Sequence, residues 1–355
     1  MLIKAGRQPW IDFCRGLAMI AVVVDHTCDL FPDAVGPHTI FSVAMFTFLG
    51  GVCSCMSVQR RTVPVLPYIV QRVKPILIPY AIAVAVFRIY NDNFVLSFPN
   101  YLVSLVHFNR PRAFYFLLFY LQLVVVSPLL YQFVKRCDGV FKQVLLVAGT
   151  VLLSEVFVEH TYIMDSYGGG KYVLGGTYFT VFVLGMMFTK YIEVLTSAPR
   201  YLLVLLLLAL PSLIVFEYFG FIYKAWSNPP NVYAILYTLL IMTIFFSLFH
   251  LVEISRLPVL GWISMCIVLI GKWSLVIFLY HILIKRIVGK CSQVWCPGVE
   301  NEVVFAFVLL PLMIFVPIAV SQLIRYFRGW IESPEPADAP LARSDSLPDV
   351  PRQTS

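Results

Sequence analysis

Apolar residues in this chain run on in long blocks, separated by short clusters of polar ones. A helix needs about 20 mostly apolar residues to cross a bilayer, and stretches of near that length recur through the first 330 positions. The pattern predicts ten spans, at 11–30, 39–58, 70–90, 114–134, 140–158, 173–189, 201–219, 232–252, 273–289 and 303–324. A further apolar run, 257–272, is too short to span and reads as a re-entrant or interfacial segment. The expected fold is therefore all-α, a polytopic integral membrane bundle of about ten transmembrane helices. Two units are expected: a membrane domain over 1–330, and a cytoplasmic tail over 331–355, rich in Pro and Ser, that is disordered.

Composition agrees with the pattern. The chain is 60% hydrophobic and 13% charged, where a soluble domain carries about 25% charged residues. Mean hydropathy is +0.84. With the N-terminus inside, seventeen of the 26 Lys and Arg fall on the inner side and eight on the outer, Arg15 lying within the first span. That bias places both termini in the cytoplasm. It also accounts for the net charge of +7 through contact with anionic lipid rather than nucleic acid. The first span is not a cleaved signal peptide, since Asp12 and Arg15 interrupt it and no small-residue cleavage site follows. None of the eight Cys has zinc-like spacing with His, so no metal site is expected. Cys291 and Cys296 share an outer loop, where a disulfide and two free thiols are both compatible with the sequence.

The most unusual polar positions lie in the first span. Asp12, Arg15 and His26 are separated by steps of 3, 11 and 14, which keep all three on one helix face. A rise of about 1.5 Å per residue sets Arg15 and His26 roughly 16 Å apart along it. Charge inside a bilayer costs about 2.5–3.5 kcal/mol per ion on insertion scales, so such groups face a polar cavity rather than lipid. Arg15 suits an anionic oxygen, and Asp12 pairs with it at i, i+3. His26 suits a proton taken from a hydroxyl, since imidazole titrates nearest neutral pH. Asp25 points about 100° away from His26, and Asp29, further along, is placed to orient the imidazole.

Other candidates are weaker. Arg72 and Lys74 are a pair of cations at the inner mouth of the third span. Glu155 and Glu159 form an i, i+4 pair at the end of the fifth span. The Tyr- and Gly-rich loop after them, with Tyr167, suits a sugar ring, although an interfacial aromatic belt looks the same. His281 lies inside a late span with Lys285 one turn on, and is grouped with these substrate-side candidates.

Several stretches carry a resemblance. The opening Trp10-Ile-Asp-Phe-Cys-Arg15-Gly, with its Arg-x10-His26 spacing, resembles the signature of the membrane acyltransferase family 3. Phe41–Gly51 is similar to that family's second helix, with Gly50 where Ser is usual. Gln71–Tyr80, Tyr178–Phe188 and Lys272–His281 resemble its third, sixth and late helices in the same order. The resemblance covers roughly 7–325. It implies an O-acyltransferase that moves an acyl group, acetyl or succinyl, from cytoplasmic acyl-CoA to a hydroxyl on the opposite membrane face. The expected acceptor is a cell-surface polysaccharide or its lipid-linked precursor, and the expected location is the cell inner membrane. On this reading His26, Arg15 and Asp12 are catalytic, Arg15, Arg72 and Lys74 hold acetyl-CoA, and Glu155, Glu159, Tyr167 and His281 meet the acceptor. The competing expectation is a transporter whose charged first helix lines a permeation path. Oligomeric state is left open, a homo-oligomer being compatible with the sequence.

Overall fold

The structure, a computed structural model, describes residues 8–27, 32–91, 97–108, 111–160, 173–226, 228–295 and 302–332. Among them the chain is helical, with no strand. Its α-helices are α1 (Pro9–Thr27), α2 (Pro32–Thr39), α3 (Phe41–Gln59), α4 (Val65–Asn91), α5 (Phe98–His107), α6 (Tyr115–Arg136) and α7 (Val140–His160). They continue with α8 (Tyr178–Phe188), α9 (Ile192–Thr196), α10 (Pro199–Tyr218), α11 (Val232–Ser255), α12 (Pro258–Lys272), α13 (Ser274–Trp295) and α14 (Glu302–Glu332). The chain divides into a unit of Met1–Ile318 and a second of Ala319–Ser355, of which the last turns of α14 are described.

Among the described residues seven helices are long and apolar enough to cross a membrane: α4, α6, α7, α10, α11, the Val35–Gln59 stretch ending in α3, and the Phe307–Tyr326 part of α14. The three remaining expected spans each differ for a physical reason. α1 carries Asp12, Arg15 and Asp25 within 19 residues, too many charges for an apolar window. α8 has 11 residues, because Leu174, Gly175 and Gly176 take left-handed backbone angles and form a turn where the sequence pattern starts a helix. α13 is joined to α12 through a 77° bend, and this pair counts as at most one further span. The run at 257–272 is thus a 15-residue helix continuing into its neighbour through a sharp corner.

Burial separates central from peripheral elements. In the spanning window of α3, 78% of residues are buried, against 11% in α7 and 17% in α10. The last two helices present leucines and valines outward, as helices against lipid do. The core is built on α1, α3, α8 and α11 around Trp10, Phe48, Phe182 and Phe246, and the rings of Trp10, Phe48 and Phe246 meet Phe188 or one another edge-on or tilted. Close crossings rest on missing side chains. A Cβ on Gly51 would run into the backbone of Phe182, and one on Gly185 into that of Phe48, so α3 and α8 touch backbone to backbone. The same holds between α1 and α12, where Gly16 faces the Ile267 carbonyl and Gly271 the Asp12 carbonyl. This second crossing fixes the helix that carries the unusual charges.

Candidate functional site

Of the cavities along α1, two hold its charged and imidazole side chains, and these two share no lining residue. The first, of about 530 Å³, contains Asp12 and Arg15. Asp12 is 2% exposed and its carboxylate lies 3.9 Å from the Arg15 guanidinium. Arg15 Nη2 donates to Cys53 Sγ on α3 at 3.2 Å. The α3–α4 turn then folds Arg60, Arg61, Tyr68, Gln71 and Arg72 around the same space. Four arginines line one cavity beside a single carboxylate. Arg61 Nη1, Tyr68 Oη and Arg72 Nε are buried with no hydrogen-bond partner. Donors buried without acceptors cost free energy, and phosphate or carbonyl oxygens entering the cavity would relieve that cost.

The second cavity, of about 500 Å³, contains Asp25 and half-buried His26 at the far end of α1. Thr39, Ser42, Arg112, Tyr115, Tyr223 and Phe278 complete much of its polar and aromatic lining. The Thr39 hydroxyl donates to Asp25 Oδ1 at 2.9 Å. Behind His26 lies His281, 0% exposed, with ring centres 5.0 Å apart. Lys285 Nζ donates to the backbone carbonyl of His26 and ties the end of α1 to α13.

Aromatic rings run from one cavity toward the other. Phe278 packs on Phe116 at 5.6 Å and Phe116 on Tyr120 at 5.4 Å, and Tyr120 interacts electrostatically with Arg15 and Arg72. Gly50 makes room for this: a Cβ there would meet the Tyr120 ring, so the bare position keeps α3 and α6 close.

The expected site residues therefore divide. Asp12, Arg15 and Arg72 meet in one cavity, and His26 meets His281 at the other. Lys74 is exposed and outside the first cavity's lining. Glu155 and Glu159 are exposed on peripheral α7 and line neither cavity. Tyr167, Asp29, Cys296 and the tail beyond residue 332 lie outside the described residues. Sequence reasoning missed Cys53, Tyr68 and Tyr120, and it counted Arg60 and Arg61 only as inner-side cations. Among the described residues no three His, Cys, Asp or Glu side chains gather as metal ligands do.

The arrangement sets a cavity lined by four arginines at one end of α1 and a cavity lined by an imidazole at the other. No curated protein matches the chain, and no solved structure does. The model of the family described as "Acyltransferase domain" matches residues 8–322, a stretch that takes in α1, both cavities and every close helix crossing described above. The chain belongs to that family of membrane acyltransferases.

Proposed function

We propose that the protein transfers an acetyl group from acetyl-CoA to a sugar hydroxyl of a cell-surface polysaccharide or its lipid-linked precursor. The observation that carries this is the placement of a four-arginine cavity and an imidazole cavity on one helix. CoA phosphates pair with Arg60, Arg61 and Arg72, and the Tyr68 hydroxyl supplies a further donor. Arg15, deeper in the same cavity, pairs with the phosphate oxygens at the base of the pantetheine arm, with Asp12 and Cys53 holding the guanidinium in place. The pantetheine arm then extends along α1, whose roughly 16 Å rise from Arg15 to His26 is of the same order as the arm.

At the far end His26 accepts the proton of the acceptor hydroxyl. The oxygen attacks the thioester carbonyl carbon, the C–S bond breaks, and the CoA thiolate leaves and is protonated. Asp25 and Arg112 offer hydrogen bonds to the other hydroxyls of the sugar, with Tyr115 and Tyr223 against its faces. The same reading sets the Arg15 end and both termini in the cytoplasm of an inner membrane. It takes α1, α8 and α13 as membrane-inserted beside the seven long helices, α12 as the re-entrant piece, and 331–355 as a separate cytoplasmic tail.

Radiolabelled acetyl-CoA given to purified protein with cell-envelope glycan is expected to yield labelled glycan and free CoA. A wild-type protein that neither consumes the thioester nor labels any acceptor, and instead carries solute across vesicles, would overturn the proposal. The donor site makes a finer expectation. Arg72→Ala removes a charge-assisted contact and should raise the KM for acetyl-CoA about tenfold or more. Lys74→Ala, two positions on and outside the cavity, should change it by less than about twofold. Initial rates against donor concentration check both.

A further inference from the structure

His281 lines neither cavity and is wholly buried, yet one of its ring nitrogens has nothing to bond. Its Nδ1 lies 2.8 Å from the Phe278 carbonyl oxygen and 3.1 Å from that of Ile277. Carbonyl oxygens only accept, so Nδ1 carries the hydrogen. In the neutral ring Nε2 then holds the lone pair. That Nε2 is buried with no hydrogen-bond partner, which costs free energy unless a donor is supplied.

The donor at hand is His26. The two ring centres are 5.0 Å apart, with the planes tilted 35°. Ring nitrogens lie about 1.1 Å from their centres, so an N–H···N bond of about 2.9 Å spans about 5 Å between centres. The centre-to-centre distance is that of one such bond, which a turn of the His26 ring would close. The surroundings support the pairing: Lys285, one turn beyond His281, donates to the His26 carbonyl and holds the last turn of α1 against α13. Asp25, the neighbouring carboxylate, is about 100° round the helix and takes the Thr39 hydroxyl instead.

Resting on the acyl-transfer reading above, we infer that His281 is a positioning residue for His26. Its Nε2 receives the His26 N–H, which fixes the His26 tautomer and turns the other nitrogen, lone pair first, toward the Asp25-lined cavity. When His26 takes the acceptor's proton, the bond to His281 becomes charge-assisted and strengthens. The proton enters and leaves through the cavity-facing nitrogen, and His281 forms no bond to carbon. A base oriented by a third group is a recurring arrangement, usually completed by a carboxylate. Inside a membrane a neutral imidazole supplies the acceptor without burying a charge.

Two substitutions separate positioning from packing. In His281→Asn the amide stands near Nδ1 and leaves no acceptor at the Nε2 place. In His281→Gln the amide oxygen reaches that place. With labelled acetyl-CoA and envelope glycan, Asn is expected to lower kcat about 10–100-fold, the loss typical of an orienting partner, with the donor KM within about twofold. Gln is expected to restore most of the loss. Equal impairment by both, or wild-type kcat in the Asn protein, overturns the inference. The nitrogen NMR spectrum of histidine-labelled protein reads the same point without turnover. One His26 tautomer is expected in wild type and a mixture in the Asn protein, and a mixture already in wild type overturns the inference. Absence of acyl transfer in wild type would sink the acyl-transfer reading alone, since the tautomer spectrum still judges the histidine pair.

Discussion

His26→Ala is expected to lower kcat for acyl transfer by about 10²–10⁴-fold, the usual contribution of a positioned acid–base group. The KM for acetyl-CoA should stay within about twofold, because the cationic cavity that would hold the donor shares no lining residue with the one around His26. Loss of His26 removes a group that acts in the transition state and leaves ground-state donor binding intact. Arg15→Ala should behave differently. It takes away the guanidinium bonded to Cys53 and paired with Asp12, and leaves that buried carboxylate among the remaining arginines. Both kcat and the donor KM should suffer. Steady-state rates at varied acetyl-CoA check the contrast, and a raised donor KM with unchanged kcat in His26→Ala would contradict the division of labour.

Gly271→Val should be the most damaging change away from either cavity. A Cβ at 271 would overlap the Asp12 carbonyl, so the obstacle is backbone rather than a side chain that can turn aside. Overpacking of a tight contact costs about 1–3 kcal/mol where side chains can yield, and more where they cannot. Here the cost falls on the crossing that seats Asp12 and, one turn on, Arg15. Gly261→Ala lies on the same helix with nothing within 4 Å of the added carbon, and it should leave stability unchanged or slightly raised. The thermal midpoint and the monodisperse yield of detergent-solubilised protein measure both. A Gly271→Val protein as stable as wild type would show that α1 and α12 are not locked together as described.

What the sequence disclosed about this site follows from helical geometry. Asp12, Arg15 and His26 could be placed on one face because all three lie on one uninterrupted helix, where spacing alone decides direction. The same rule argues against pairing Arg72 with Lys74: two positions apart on α4, they point about 200° from one another, and the cavity takes only the arginine. Arg60 and Arg61 are plain in the sequence, but their convergence with Arg15 depends on how the α3–α4 turn folds back. The contact between His26 and His281 joins opposite ends of the chain and leaves no local signal. Glu155 and Glu159 do share a helix face, as their spacing requires, but α7 sits at the periphery and turns them away from both cavities. Hydropathy found the long helices because lipid contact demands continuous apolar surface. It overestimated α8, where the left-handed turn at Leu174–Gly176 consumes residues that are equally apolar.

The packed rings of Phe278, Phe116 and Tyr120 place apolar carbon between the two cavities. Water files and their mobile protons need a continuous polar route, and aromatic carbon interrupts one. A catalyst that works from both faces of an energised membrane must let a small organic fragment pass without letting the ion gradient discharge. If acyl transfer runs between the two cavities as proposed, aromatic rings packed between them would keep the voltage intact with no standing leak.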